Sequence, residues 1–200
     1  MSRQAAERPE GLIYVPGFLT EGEEGALLEQ VRAAAFEEIR MHGQVARRRT
    51  AHFGWLYGYE SWKVEPGPPI PDYLLPLRAR CAELMGESPE HLVEALVSEY
   101  PPGATIGWHR DAPMFGPSVV GVSLGSACRM RFQRGQGEER RTYEVELAPG
   151  SAYMLSGAAR SQWQHSIPAV KEPRYSITFR TLRERWARAS APEASPAVSR

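Results

Sequence analysis

The run Trp108-His109-Arg110-Asp111 sets an imidazole and a carboxylate two residues apart. On an extended strand that spacing turns both side chains to one face. Two such groups can take neighbouring positions on one divalent metal, and a third ligand from a distant strand leaves the remaining positions open, the layout of a non-haem iron oxygen site. His-x-Asp arises often by chance, so the assignment needs that third ligand. His165, in Trp163-Gln164-His165-Ser166, lies 54 residues beyond Asp111 and is the candidate. Taken alone it reads more readily as a core histidine than as a ligand, and the core reading is kept for His42, His52 and His91, since none has a partner at ligand spacing.

The strongest single run is Arg174-Tyr175-Ser176-Ile177-Thr178-Phe179-Arg180. As a strand it puts Arg174, Ser176, Thr178 and Arg180 on one face and Tyr175, Ile177 and Phe179 on the other. If the aromatic face packs on helices, the guanidinium groups line an interior. Buried arginines are costly unless paired, so such an interior calls for a bound anion, and a small dicarboxylate fits. The opposite arrangement, arginines outward and aromatics inward, stays open from the strand alone.

Residues 45 to 62 hold a second unusual cluster, in which Arg47-Arg48-Arg49 leads into His52-Phe53-Gly54-Trp55-Leu56-Tyr57-Gly58-Tyr59 across an expected strand pair. Arginines for phosphates and flat rings for bases are what single-stranded or flipped nucleotides require. A solvated arginine turn beside core aromatics is the competing reading.

Positioning these groups falls to a chain of 200 residues, suited to one domain with a sizeable core. The sequence predicts a disordered lead over 1 to 10, one domain over 11 to 183 and a flexible Ala/Ser/Pro-rich tail over 184 to 200. A capping box at Thr20-Glu21-Gly22-Glu23 opens a helix over about 21 to 36, and a second helical pattern runs from Tyr73 to Met85, weakened by Pro76 and stopped by Gly86. Between them, Val64 to Pro76 reads as a loop and, with the cluster before it, forms a lid over 45 to 76. Leu92 to Tyr100 reads as a strand, and further strands are expected over 104 to 109, 118 to 124, 127 to 133, 142 to 147, 151 to 155, 163 to 167 and 173 to 182. The fold class is therefore α+β: a double-stranded β-helix, or jelly roll, with N-terminal helices packed on one sheet and a lid over the site. Formal charge is balanced, with 24 basic and 24 acidic residues, so no overall field draws nucleic acid from a distance. No apolar run approaches a membrane span and residues 1 to 10 lack a signal-peptide core, so the expectation is a cytoplasmic monomer. Cys81 and Cys128 are too few for a disulfide framework and read as core thiols.

His109-x-Asp111, His165 and the arginine strand together resemble the motif set of the AlkB-like branch of iron(II)- and 2-oxoglutarate-dependent dioxygenases. Tyr100-Pro101-Pro102-Gly103-Ala104 and Val122-Ser123-Leu124-Gly125 are similar to further strings of that family. The resemblance implies His109, Asp111 and His165 as iron ligands, Arg174 as partner of the distal carboxylate of 2-oxoglutarate, and Arg180 near its keto-acid end. Tyr100 would bond the co-substrate, helped by Ser98 and Ser176 where the family usually has asparagine. Arg48, Arg49, Trp55, Tyr57 and Trp108 are the substrate-binding candidates. The implied cofactor is Fe(II), with 2-oxoglutarate and O2 as co-substrates, and the implied reaction is oxidative removal of N-methyl groups from bases in methylated single-stranded DNA or RNA. Pro113 stands where the bacterial DNA-repair enzyme has a second acid, and with the neutral overall charge it favours a rival with the same chemistry on a protein or small molecule; a separate rival is a metal-binding jelly roll without oxygenase activity.

Overall fold

The computed structural model describes residues 7–41, 44–57 and 64–183. The tail from 184, the first six residues of the lead, His42 and Tyr59 lie outside the described residues. Strand β1 (Leu12–Val15) is followed by helix α1 (Glu21–Arg32), strands β2 (Glu37–Met41), β3 (Gln44–Tyr57) and β4 (Val64–Pro66), and helix α2 (Leu75–Met85). Then come β5 (Glu94–Tyr100), β6 (Ile106–His109), β7 (Phe115–Leu124), β8 (Cys128–Arg134), β9 (Arg141–Leu147), β10 (Ala152–Leu155), the short helix α3 (Gly157–Ser161), β11 (Gln164–Ile167) and β12 (Arg174–Leu182).

Among the described residues the strands form two sheets, one of eight in the order β1-β10-β7-β12-β5-β3-β2 with β4 on β3, and one of four in the order β6-β11-β8-β9. The pairing is antiparallel throughout. Buried Leu12, Tyr153 and Leu155 of the larger sheet share a cluster with Met130, Phe132 and Leu147 of the smaller, so the two sheets pack on each other as in a jelly roll. The larger sheet turns Val97, Val122, Ile177 and Phe179 the other way, into a cluster with Leu27 and Val31 of α1 and Leu77 and Cys81 of α2. Alternation along β12 thus sends the apolar side chains to the helices and leaves Arg174, Ser176, Thr178 and Arg180 for the space between the sheets.

Local sequence accounts for most boundaries. Thr20 caps α1 with its hydroxyl accepting from the Glu23 N–H, while the Glu23 carboxylate accepts from the Thr20 N–H at 2.8 Å. The helix stops at Arg32, short of the expected 36, because Phe36 packs on Tyr175 with ring centroids 6.2 Å apart and the chain enters β2 at the next residue. Pro76 does not weaken α2: it stands in the first turn, where its missing N–H has no intrahelical acceptor to lose. Gly86 ends the helix at φ 68°. Of the strand pair expected over 45 to 62, the described part up to Tyr57 is a single strand of 14 residues, and the expected loop from Val64 contains β4, which pairs antiparallel with Trp55–Tyr57. Among the described residues no helix is long and apolar enough to cross a membrane. Both cysteines are free and buried, and burial pushes the Cys81 thiol up to about 12.

Candidate functional site

The space between the sheets is walled by Arg48, Ser98, Tyr100, His109, Asp111, His165, Arg174, Ser176, Thr178 and Arg180 among others. Its volume is about 50 Å³, enough for a few waters. β6 and β11 run side by side with His109 opposite His165 in register, and the two imidazole rings lie 4.2 Å apart. Asp111 is not on the strand with His109, as the spacing predicted. β6 ends at His109, and residues 110–112 form an irregular segment. That segment still brings a carboxylate oxygen of Asp111 to 3.9 Å from His165 Nε2.

The three groups carry the charge states a metal requires. Burial drives the His165 ring down to about 3 against the pull of Asp111, and burial likewise lowers His109. Both are neutral at physiological pH. Burial would raise the Asp111 carboxyl, but the Arg180 guanidinium and then His165 outweigh it and hold it well below the usual range. His109 Nδ1 sits 2.9 Å from the Gly107 carbonyl, which assigns the ring proton to Nδ1 and leaves the Nε2 lone pair for a ligand. Two neutral nitrogens and one carboxylate are the donor set that suits non-haem iron. Among the described residues, however, no three His, Cys, Asp or Glu side chains converge closely enough to hold an ion as they stand. Arg180 engages Oδ1 of Asp111 at 3.0 Å, which leaves Oδ2, the oxygen facing His165, to serve as a ligand.

The two arginines of β12 differ. Arg180 donates to both oxygens of buried Glu94 at 2.9 Å and to Asp111, with its guanidinium 4.9 Å above the Phe115 ring. Arg174 is 1% exposed, donates from Nε to the Ser123 hydroxyl at 3.1 Å, and covers the Tyr100 ring at 4.8 Å. Its Nη1 is buried with no hydrogen-bond partner. A guanidinium buried without a carboxylate is expensive, so an anion arriving there gains what the protein alone does not supply. Register sets Ser176 opposite Ser98, and Arg174 opposite Tyr100, so the expected co-substrate residues share one patch of floor.

The lid candidates divide. Arg48 reaches the cavity, donating to the Ser98 hydroxyl at 3.1 Å and standing 5.9 Å from the Tyr100 ring. Arg49, expected beside it, does not: the next residue of a strand faces the other way, and Arg49 pairs with Glu99 at 2.6 Å over the Phe36 ring on the helix side. Trp108 is a second correction. It lies on the opposite face of β6 from His109, beneath the Arg131 guanidinium at 5.2 Å, and does not line the cavity. Trp55 packs beside Met114 and Phe115 at the rim. Tyr57 ends β3, and its side chain lies outside the described residues.

Two functional residues escaped the sequence reading. Glu94 shares strand parity with Leu96, Ser98 and Tyr100, so the alternation used for β12 would have found it had β5 been read the same way. Its carboxyl is raised by burial in spite of Arg180. Arg160, 7% exposed, donates to the Asp111 and Ala112 carbonyls at 3.1 and 2.9 Å, and nothing local in its sequence announces a contact 48 residues away.

The sequence profile of the 2OG-Fe(II) oxygenase superfamily matches residues 11–183. The chain is 30% identical over 171 residues to tRNA (carboxymethyluridine(34)-5-O)-methyltransferase ALKBH8 of Mus musculus, covering 82% of this chain and 25% of that protein. It is 31% identical over 128 residues to probable RNA/DNA demethylase ALKBH6 of Danio rerio, covering 64% and 52%. To alpha-ketoglutarate-dependent dioxygenase alkB homolog 3 of Homo sapiens it is 28% identical over 189 residues, covering 84% and 64%. It therefore spans less than two thirds of each of these relatives. Among solved structures, OsALKBH1 matches with a TM-score of 0.67 at 15% identity over 88% of this chain and 98% of that one. A Pseudomonas putida prolyl-4-hydroxylase matches with a TM-score of 0.62 at 15% identity over 86% and 93%. At that identity the likeness is one of fold.

Proposed function

Because the chain belongs to the 2OG-Fe(II) oxygenase superfamily and is AlkB-like within it, we propose that it oxidatively demethylates N-alkylated nucleobases in DNA or RNA. Family membership brings iron(II) as cofactor and 2-oxoglutarate and O2 as co-substrates. The observation that carries the proposal is Arg174: a buried guanidinium with an unpartnered Nη1, lining the same cavity as two neutral imidazoles and an ionised carboxylate but from the facing sheet. A hydrolytic metal site has no need of a dicarboxylate pocket of this kind.

In this reading His109, Asp111 and His165 would hold the metal, which would activate O2 for C–H hydroxylation, with 2-oxoglutarate giving the other two electrons as it is oxidised to succinate and carbon dioxide. Arg174 takes the distal carboxylate of the diacid, with Tyr100, Ser98 and Ser176 aligning it from the adjoining floor. Arg180 fixes Asp111 and keeps the buried Glu94 charge paired. The packed sheets exclude water, and a hydroxylated N-methyl group then leaves as formaldehyde. The segment 45 to 76 acts as substrate lid, with Arg48 at the cavity and Trp55 at its rim, over methylated single-stranded DNA or RNA whose target base is unstacked. The same reading makes the domain one unit over 11 to 183 and the protein a cytoplasmic monomer.

A protein or small-molecule substrate is the second reading, favoured by Arg49 and Trp108 standing away from the cavity. Anaerobic titration with iron(II) and 2-oxoglutarate tests the site: the visible charge-transfer band of the chelate should appear, and a folded chain without it contradicts the oxygenase. Formaldehyde release from methylated single-stranded DNA, RNA and tRNA tests the substrate, and release from none of them selects the second reading.

A further inference from the structure

Asp111 lies beyond the end of β6, in a segment that no sheet ladder restrains, yet its carboxylate must meet two histidines on strands that are fixed. Something other than β-structure has to hold it. The Arg160 guanidinium does so geometrically: one nitrogen donates to the Asp111 carbonyl at 3.1 Å and the other to the Ala112 carbonyl at 2.9 Å. A planar fork on two successive carbonyls fixes both the position and the tilt of the intervening peptide, which a single donor cannot do. The clasp is returned from the other side, where Arg110 donates to the Gln162 carbonyl at 3.1 Å. The 110–112 segment is thereby stitched to residues 160 to 162, which lead directly into β11 and His165.

The base of the clasp is itself anchored. Ala159 donates its N–H to the Glu10 carbonyl at 2.8 Å, and Ser156 to that of Gly11 at 2.9 Å, so α3 is tied to the chain before β1. Arg160 is 7% exposed and makes no salt bridge to a carboxylate among the described residues, which is an expensive way to satisfy two carbonyls that water could reach if the segment simply faced solvent. The carboxylate of Asp111 is meanwhile engaged by Arg180, so the peptide and the side chain of one residue are held by two different arginines.

We propose that Arg160 is the positioning residue of the metal site: by clamping the peptide of Asp111 it holds that ligand against His165 and sets the affinity and geometry with which iron(II) is bound. The inference rests on the oxygenase reading above. Arg160 touches neither metal nor substrate; it acts through the backbone it holds, and its charge also favours the ionised Asp111 carboxylate, which Arg160→Lys retains.

The test uses the full chain, iron(II) and 2-oxoglutarate under anaerobic conditions, with two readouts that need no turnover: the dissociation constant for iron(II), and the position of the charge-transfer band. Arg160→Met removes both donors, and Arg160→Lys keeps the charge but offers no planar fork. Supporting groups behind metal ligands are typically worth about 10- to 100-fold in affinity, and a loss of that size is expected for Arg160→Met, with a smaller loss for Arg160→Lys and a displaced band in both. The metal-free melting temperature of Arg160→Lys should stay close to the parent's, and this variant decides the matter if Arg160→Met does not fold. Parental iron affinity and a parental band in Arg160→Lys would overturn the inference. So would losses of iron affinity that merely track losses of metal-free stability, since Arg160 would then support the fold at large. A parent chain that binds no iron removes the oxygenase reading and this inference together; a parent that binds while Arg160→Lys binds equally removes the inference alone.

Discussion

Arg174 and Arg180 share one face of one strand and meet opposite circumstances. Arg180 is satisfied by Glu94 and Asp111, so its charge is already spent on holding a proposed metal ligand. Arg174 has a hydroxyl, a ring face and an unpartnered nitrogen. The free energy available to a diacid is therefore at Arg174. Arg174→Met keeps the aliphatic stem over Tyr100 and deletes the charge. Losing one partner of a buried charged pair costs about 2 kcal/mol or more, so the dissociation constant for 2-oxoglutarate should rise at least about thirtyfold. The ligand-free protein should be no less stable, because the deleted charge had no carboxylate in that state. Equal co-substrate affinity in calorimetric titration would place the diacid elsewhere. Asp111→Ala makes the complementary case: Arg180 keeps Glu94, so the chain should fold with a near-parental circular dichroism spectrum while iron-dependent turnover disappears. Turnover surviving that change would remove Asp111 from the site.

At the scale of the element, strand parity carried most of what the sequence made legible. Alternation along β12 was readable because four polar residues interleave with three large apolar ones, and the helices cover the apolar face. The same rule separates Arg48 from Arg49, yet three consecutive arginines carry no apolar reference to show which one points inward. Parity also fails where one residue takes a positive φ. Gly54 has φ 79°, and a Cβ there would lie 2.0 Å from the Val93 carbonyl oxygen, so β3 turns at a residue that only glycine fits. Its N–H bonds the Pro68 carbonyl, and Trp55 beyond it joins Met114 and Phe115 at the rim. No periodicity announces this, because it depends on the backbone of β5's approach, 40 residues away. Gly54→Ala should accordingly destabilise by more than about 1–3 kcal/mol, the range for one strained residue, since the clash adds to the dihedral cost. Urea unfolding measures it, and a parental midpoint would show that β3 is straight at this position.

For the molecule as a whole, two layers of packing produce one set of buried charges whose balance depends on pH. Helices cover one face of the larger sheet and the smaller sheet covers the other, so the imidazoles facing the inner layer are stripped of water. Burial first, and then Arg180 and Arg48, bring His52 down from 6.5 to about 4, and burial brings His165 to about 3. A histidine depressed in the folded state takes up its proton more readily when unfolded, so it favours the native form fully above about 6.5 and progressively less as pH falls toward the folded value. Asp111, lowered by Arg180, works in the same sense but only below the ordinary carboxylate range. Glu94, raised by burial, works in the opposite sense and offsets part of the loss in acid. Unfolding free energy of the metal-free protein should thus decline between pH 7 and 5, each fully depressed histidine contributing a slope approaching about 1.4 kcal/mol per pH unit. Bound metal requires neutral imidazoles at His109 and His165, and since His165 is already neutral down to about 3, iron should leave the His165 share of the slope between pH 7 and 5 unchanged. His52 lies outside the proposed ligand set, which separates the two contributions. His52→Gln should flatten the slope by one histidine's share with or without metal, and an unchanged slope would mean that this ring is solvated and titrates normally, placing β3 further from Arg180 than the sheet requires.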